Sequence, residues 1–119
     1  MAVSDADDGL FPSASREIAQ RRNELAPEAA RAFKDFSRTV FAEGELDAAT
    51  KQLIAVAVAH VTQCPYCIRG HTEDARRQGA SDEQIMEAIW VAAEMRAGGA
   101  YAHSAVAIDE MGTDRNEDE

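Results

Sequence analysis

Leu53-Ile54-Ala55-Val56-Ala57-Val58-Ala59-His60-Val61 is separated by only Thr62-Gln63 from Cys64-Pro65-Tyr66-Cys67, and two folds compete for that stretch. The alternation from Ile54 to Val61 suits a strand, whose side chains point to opposite faces with a period of two. The setting suits a helix. Alanine, the best helix former, is frequent, and neither Gly nor Pro interrupts the chain from Asp47 to Gln63. A strand here would also need partners, and no other β-branched run bounded by turn residues is found. The stretch therefore reads as a helix capped at Asp47 and running through Gln63. It is apolar nearly all round, which predicts a place at the centre of the core.

Outward from this helix the punctuation is also helical. A short first helix is expected from Ser15 to Leu25. Pro27 suits the first turn of a second, in which Ala30, Phe33, Phe36, Val40 and Phe41 fall near helical spacing before Gly44 ends it. Cys64 to Gln78 reads as a fourth helix closed by Gly79. Ser81-Asp82-Glu83-Gln84 has the form of a capping box and opens a fifth, with Ile85, Ile89, Trp90 and Val91 available to pack. Gly98-Gly99 is expected to break or bend it, leaving Tyr101 to Met111 as a last segment. The fold class is thus all-α, a compact domain of five or six helices over residues 14–111. A flexible lead-in at 1–13 precedes it and a disordered acidic tail at 112–119 follows.

The 119 residues allow one modest core, and a helical domain of this size often gains stability by oligomerising. No apolar run approaches the ~18–20 residues of a membrane span. The first eight residues are acidic where a signal peptide would be basic and then apolar, so a cytoplasmic location is expected. Acidic residues number 22 against 12 basic, a net charge of −10, and only Lys34 and Lys51 are lysines. Neither nucleic acid nor an anionic membrane finds a basic surface here. Acid excess with scarce lysine fits a high-salt cytoplasm or an ordinary acidic chain.

The chemistry concentrates in the only two cysteines. With Pro65 opening a helix, Cys64 falls at the N-cap and Cys67 in the first turn, where unpaired N–H groups and the positive end of the dipole stabilise a thiolate. Cys67 and His71 stand i, i+4 and share one face. In a reducing compartment such a pair is more often catalytic or metal-binding than a structural staple.

Lys51 through His71, continuing into Ala75 to Ile85 and more loosely to Ala107, resembles the alkyl hydroperoxidase D / carboxymuconolactone decarboxylase superfamily. The shared features are a buried helix, Cys-x-x-Cys, a His four residues on and a capped following helix. Cys-Pro-Tyr-Cys is also the tetrapeptide of glutaredoxins, but their fold needs the strands missing here. The resemblance implies an all-helical subunit, assembly as trimers or hexamers, and reduction of hydroperoxides by the cysteine pair. It casts Cys67 as the attacking thiolate, Cys64 as the resolving thiol and His71 as part of a proton relay. The peroxidase members carry a Glu twelve residues before the first Cys, then Cys-x-His-Cys-x-x-x-His. Here Gln52 stands in place of that Glu and Tyr66 in place of the inner His. A glutamine orients a partner but takes up no proton at neutral pH, and a tyrosine stays protonated. Glu43, Glu45 or Glu94 are candidates to supply the missing acid.

The expected activity is therefore that of a thiol peroxidase or disulfide oxidoreductase cycling Cys64 and Cys67. Its substrate would be a hydroperoxide or a small disulfide, and an external dithiol would reduce it. No flavin, nicotinamide or haem motif is present, and no cofactor is expected. One alternative is a zinc site in which His60 or His103 joins Cys64, Cys67 and His71. Another is a non-catalytic helical oligomeric module with buried thiols. A lactone decarboxylase is disfavoured, because that activity does not use a cysteine pair. His60 and His103 could line the site but read first as packing residues. Trp90 and the phenylalanines at 33, 36 and 41 read as core or subunit contacts, and Arg69, Arg76 and Arg77 as a solvated face.

Overall fold

The computed structural model describes residues 10–112. Five α-helices and no strand occur among them: α1 Arg16–Leu25, α2 Pro27–Phe41, α3 Ala48–Thr62, α4 Pro65–Arg77 and α5 Asp82–Met111. The decisive stretch is helical, inside α3. The span 14–111 contains all five helices in two compact units, one reaching Asp47 and one beginning at Ala48. Of the expected lead-in and tail, residues 1–9 and 113–119 lie outside the described chain.

The first unit pairs α1 with α2. Ser15 caps α1 by accepting the Ile18 N–H at 3.1 Å, and Pro27 occupies the first turn of α2. No residue of either helix is buried, and Phe33 and Phe36, with ring centroids 6.2 Å apart, are exposed.

In the second unit α3 packs against both α4 and α5. Val56 of α3, Ala75 of α4 and Ile85 of α5 form the core, with Leu53, Ala80 and Ile89 against it. Val56 has no exposed surface, which alone contributes about 1.5–3 kcal/mol of apolar burial. α3 is central to this unit, as its apolar sequence predicts, but it is buried on one side only. Ala48, Gln52, Val56 and Ala59 face inward, whereas Ile54 and Val58 are about half exposed (47% and 52%). Within this unit α4 and α5 cover one side of α3, so its uniform apolarity exceeds what the unit's core uses.

Two helix ends position the site. Gly79 takes φ +98° and closes α4: its N–H donates to Arg76 C=O and that of Ala80 to Ala75 C=O, both at 3.0 Å. At the end of α3 the left-handed position is filled by Gln63 (φ +60°), with the Cys64 N–H donating to Ala59 C=O at 3.2 Å. A residue with a Cβ pays about 1–2 kcal/mol for that conformation. The capping box at α5 is complete, Ser81 Oγ accepting the Gln84 N–H (3.0 Å) and Gln84 Oε1 accepting the Ser81 N–H (2.9 Å).

Gly98-Gly99 does not interrupt α5, and the expected separate segment from Tyr101 is its C-terminal part. Each glycine costs about 1 kcal/mol relative to alanine, a penalty that a thirty-residue helix rich in alanine absorbs.

Candidate functional site: the dithiol at the start of α4

Cys64 belongs to two helix ends at once. Its backbone N–H completes the closing motif of α3, and its carbonyl accepts the Ile68 N–H at 2.9 Å to begin α4. Its Sγ accepts the Cys67 N–H at 3.2 Å, the N-capping bond that the Cys64-Pro65 order predicts. Gln63, in the left-handed conformation, turns the chain between the end of α3 and the Cys64 cap. Arg96 of α5 reinforces the same corner by donating from Nη1 to Val61 C=O at 2.9 Å, a cation at the negative end of α3.

Both cysteines are free thiols and half-buried. The Cys64 thiol is drawn below the ordinary thiol range. The hydrogen bond from the Cys67 side chain contributes most, then the Cys67 N–H; desolvation opposes them and the Tyr66 N–H adds a smaller pull downward. Cys67 is pushed up, because its thiol donates that hydrogen bond, because it is partly desolvated, and because a charged Cys64 lies beside it. The two shifts run in opposite directions, Cys64 toward its anion and Cys67 away from it.

His71, one turn beyond Cys67, is tied to α3: its Nδ1 lies 2.8 Å from Gln52 Oε1. A side-chain amide oxygen only accepts, so Nδ1 carries the proton and Nε2 the lone pair. Gln52 is itself 7% exposed, the single buried polar residue of the described core. The two residues are nineteen apart in sequence, and the α3–α4 contact brings them together.

The other candidates are placed as follows. Tyr66 is exposed in the first turn of α4 and serves Cys64 through its backbone N–H. His60 is half-buried and its Nδ1 bonds back to Val56 C=O of its own helix at 2.8 Å. His103 and Glu94 are exposed on α5, while Glu43 and Glu45 precede α3 in the other compact unit. Among the described residues of the single chain no three His, Cys, Asp or Glu side chains come together to hold a metal ion. Gln63 and Arg96 are site-building residues that sequence reasoning missed. Gln63 directly before the cysteine motif was a usable signal, since no glycine is there to end α3; Arg96 had none.

A thiolate at a helix N-cap, a second thiol in the same turn and an oriented imidazole on the second thiol's face can together form and break a disulfide. The chain is 71% identical over 77 residues, 65% of its length and 69% of the other's, to a Paracoccus denitrificans protein described as uncharacterized protein 4 in cox locus. The fold is similar to an apo carboxymuconolactone decarboxylase family protein from Legionella pneumophila (TM-score 0.63, 32% identity, 78% of this chain and 82% of that one). It is also similar to a Thermotoga maritima member with a suggested involvement in antioxidative response (TM-score 0.52, 26% identity, 71% of this chain and 97% of that one). The sequence profile of the carboxymuconolactone decarboxylase family matches residues 27–110, which include both cysteines, His71 and Gln52. The chain belongs to the carboxymuconolactone decarboxylase family.

Proposed function

We propose that this protein is a dithiol–disulfide oxidoreductase in which Cys64 and Cys67 cycle between two thiols and one intramolecular disulfide. The carrying observation is that the Cys64 sulfur caps α4 by accepting the Cys67 N–H, with both thiols free in one turn. The suggested antioxidative role of the Thermotoga relative supports the same class. With a hydroperoxide, a thiolate attacks the O–O bond, giving a sulfenic acid and, once a proton is supplied, an alcohol. The second thiol then displaces water to close the disulfide. With a disulfide as oxidant, two exchange steps release two thiols instead. In both cases an external dithiol restores the reduced pair, and a reducing, cytoplasmic compartment is where such a centre would turn over.

Adding one equivalent of hydroperoxide, or of a small disulfide, to the reduced chain tests the reading. The expected result is loss of both titratable thiols and of two hydrogens in intact mass, with neither Cys64→Ser nor Cys67→Ser forming the internal bond. A wild-type chain that keeps both thiols free with every oxidant overturns it.

A homo-oligomer, trimer or hexamer, is part of the same proposal. Val58 of α3 and Trp90, Val91 and Met95 of α5 are 52–65% exposed in the single chain, the apolar surface expected of a subunit interface. Sedimentation of the reduced protein as a monomer would remove this part and leave the chemistry standing.

A further inference from the structure

We propose that Cys64 is the attacking thiolate and Cys67 the resolving thiol, and that the oxidising substrate is a disulfide rather than a hydroperoxide. This rests on the dithiol cycle above and assigns its order and substrate class. The two thiols are served by different groups. The sulfur of Cys64 sits at the N-cap and accepts a backbone N–H, so the helix itself favours its anion. Cys67 lies one turn in, on the face of His71, whose Nδ1–H is held by Gln52 so that Nε2 is the basic nitrogen. A thiol one helical turn from a base, on the same face, is suited to the second step, when it must lose its proton before attacking. The acidity order, Cys64 lowered and Cys67 raised, runs the same way.

The substrate class follows from the leaving group. Attack on a hydroperoxide expels an alkoxide or hydroxide, which needs a proton delivered to oxygen as the bond breaks. The group that meets the imidazole from α3 is the Gln52 amide, which neither ionises nor delivers a proton as an acid at neutral pH. Attack on a disulfide expels a thiolate, which leaves without that help. In the first step Cys64–S⁻ attacks R–S–S–R′, forming Cys64–S–S–R and releasing R′–S⁻. In the second, His71 Nε2 takes the Cys67 proton and Cys67–S⁻ attacks the Cys64 sulfur. The Cys64–Cys67 disulfide forms and R–S⁻ leaves, taking the proton back from His71. Two electrons pass from the dithiol to the substrate, which becomes two thiols.

The test uses the reduced full chain at neutral pH. Substoichiometric iodoacetamide, followed by peptide mapping of the wild type, is expected to label Cys64 at least about tenfold faster than Cys67. With 5,5′-dithiobis(2-nitrobenzoate), Cys67→Ser should release one chromophoric thiol and retain a mixed disulfide on Cys64, wild type should release two, and Cys64→Ser should react at least about tenfold more slowly. Oxidised glutathione should close the internal disulfide faster than equal hydrogen peroxide or cumene hydroperoxide. Preferential labelling of Cys67, a fast phase preserved in Cys64→Ser, or a faster hydroperoxide would overturn this inference and leave the dithiol cycle intact. Failure of every oxidant to join Cys64 to Cys67 would overturn both.

Discussion

Replacing Gln52 with leucine isolates what the buried amide does for the site. Leucine is of similar length and keeps the inward face of α3 apolar, but it cannot accept the Nδ1–H of His71, now 2.8 Å from the amide oxygen. A hydrogen bond of this kind contributes about 0.5–1.5 kcal/mol net. If that free energy is expressed in orienting the imidazole for Cys67 deprotonation, disulfide closure slows by about two- to tenfold. Loss of the bond also lowers stability by about 1 kcal/mol, which for a helical domain of this size shifts Tm by roughly 4–8 °C. Rapid-quench trapping followed by mass analysis separates the two chemical steps. The first attack by Cys64 should keep its wild-type rate, because its anion is stabilised by the backbone, while closure by Cys67 slows. Added to a His71→Phe variant, Gln52→Leu should have no further effect on closure, since the two residues act as one unit. A variant that loses Tm but closes its disulfide at the wild-type rate would refute the reasoning and leave Gln52 a core residue only. Gln52→Glu extends the test by restoring an acid at that place, and should speed turnover of hydroperoxide relative to disulfide.

The remaining predictions concern acidity and the frame around the thiols. Iodoacetamide should react with Cys64 at pH values below the ordinary thiol range and lose rate only as pH falls through its lowered value. Cys67 should become reactive only above that range, because its shift has the opposite sign; mass mapping across pH reads both. Gln63→Gly should stabilise the fold by about 1 kcal/mol in urea titration, since glycine takes the left-handed conformation without the Cβ penalty. Val56→Ala, a cavity at a site with no exposed surface, should cost about 2–3 kcal/mol by the same measure. Ser81→Ala removes one half of the α5 capping box and should cost about 1 kcal/mol.

The features that were legible in the chain are those written within a few consecutive residues. Ser15, Cys64 and Ser81 each satisfy the N–H group three residues ahead, so these helix starts follow from local chemistry. The same locality places the thiol at the N-cap and the second thiol in the next turn. Local propensity overreached at Gly98-Gly99, which argued for a break or a bend: the break does not occur, because a penalty near 1 kcal/mol per glycine does not outweigh the cooperativity of a long helix.

What the amino-acid order determined by itself is the all-helical fold, the helix starts and the two-thiol turn at Cys64 to Cys67. All of these rest on hydrogen bonds between near neighbours. The tertiary structure alone decided that Gln52 holds His71, that Arg96 closes α3 and that only one side of α3 is buried within its unit. These depend on how α3, α4 and α5 lie against one another, and an α3 apolar on nearly every side carries no mark of which side its partners will cover. The geometry that orients the imidazole is therefore a property of the helix contact, even though both residues were in view from the start.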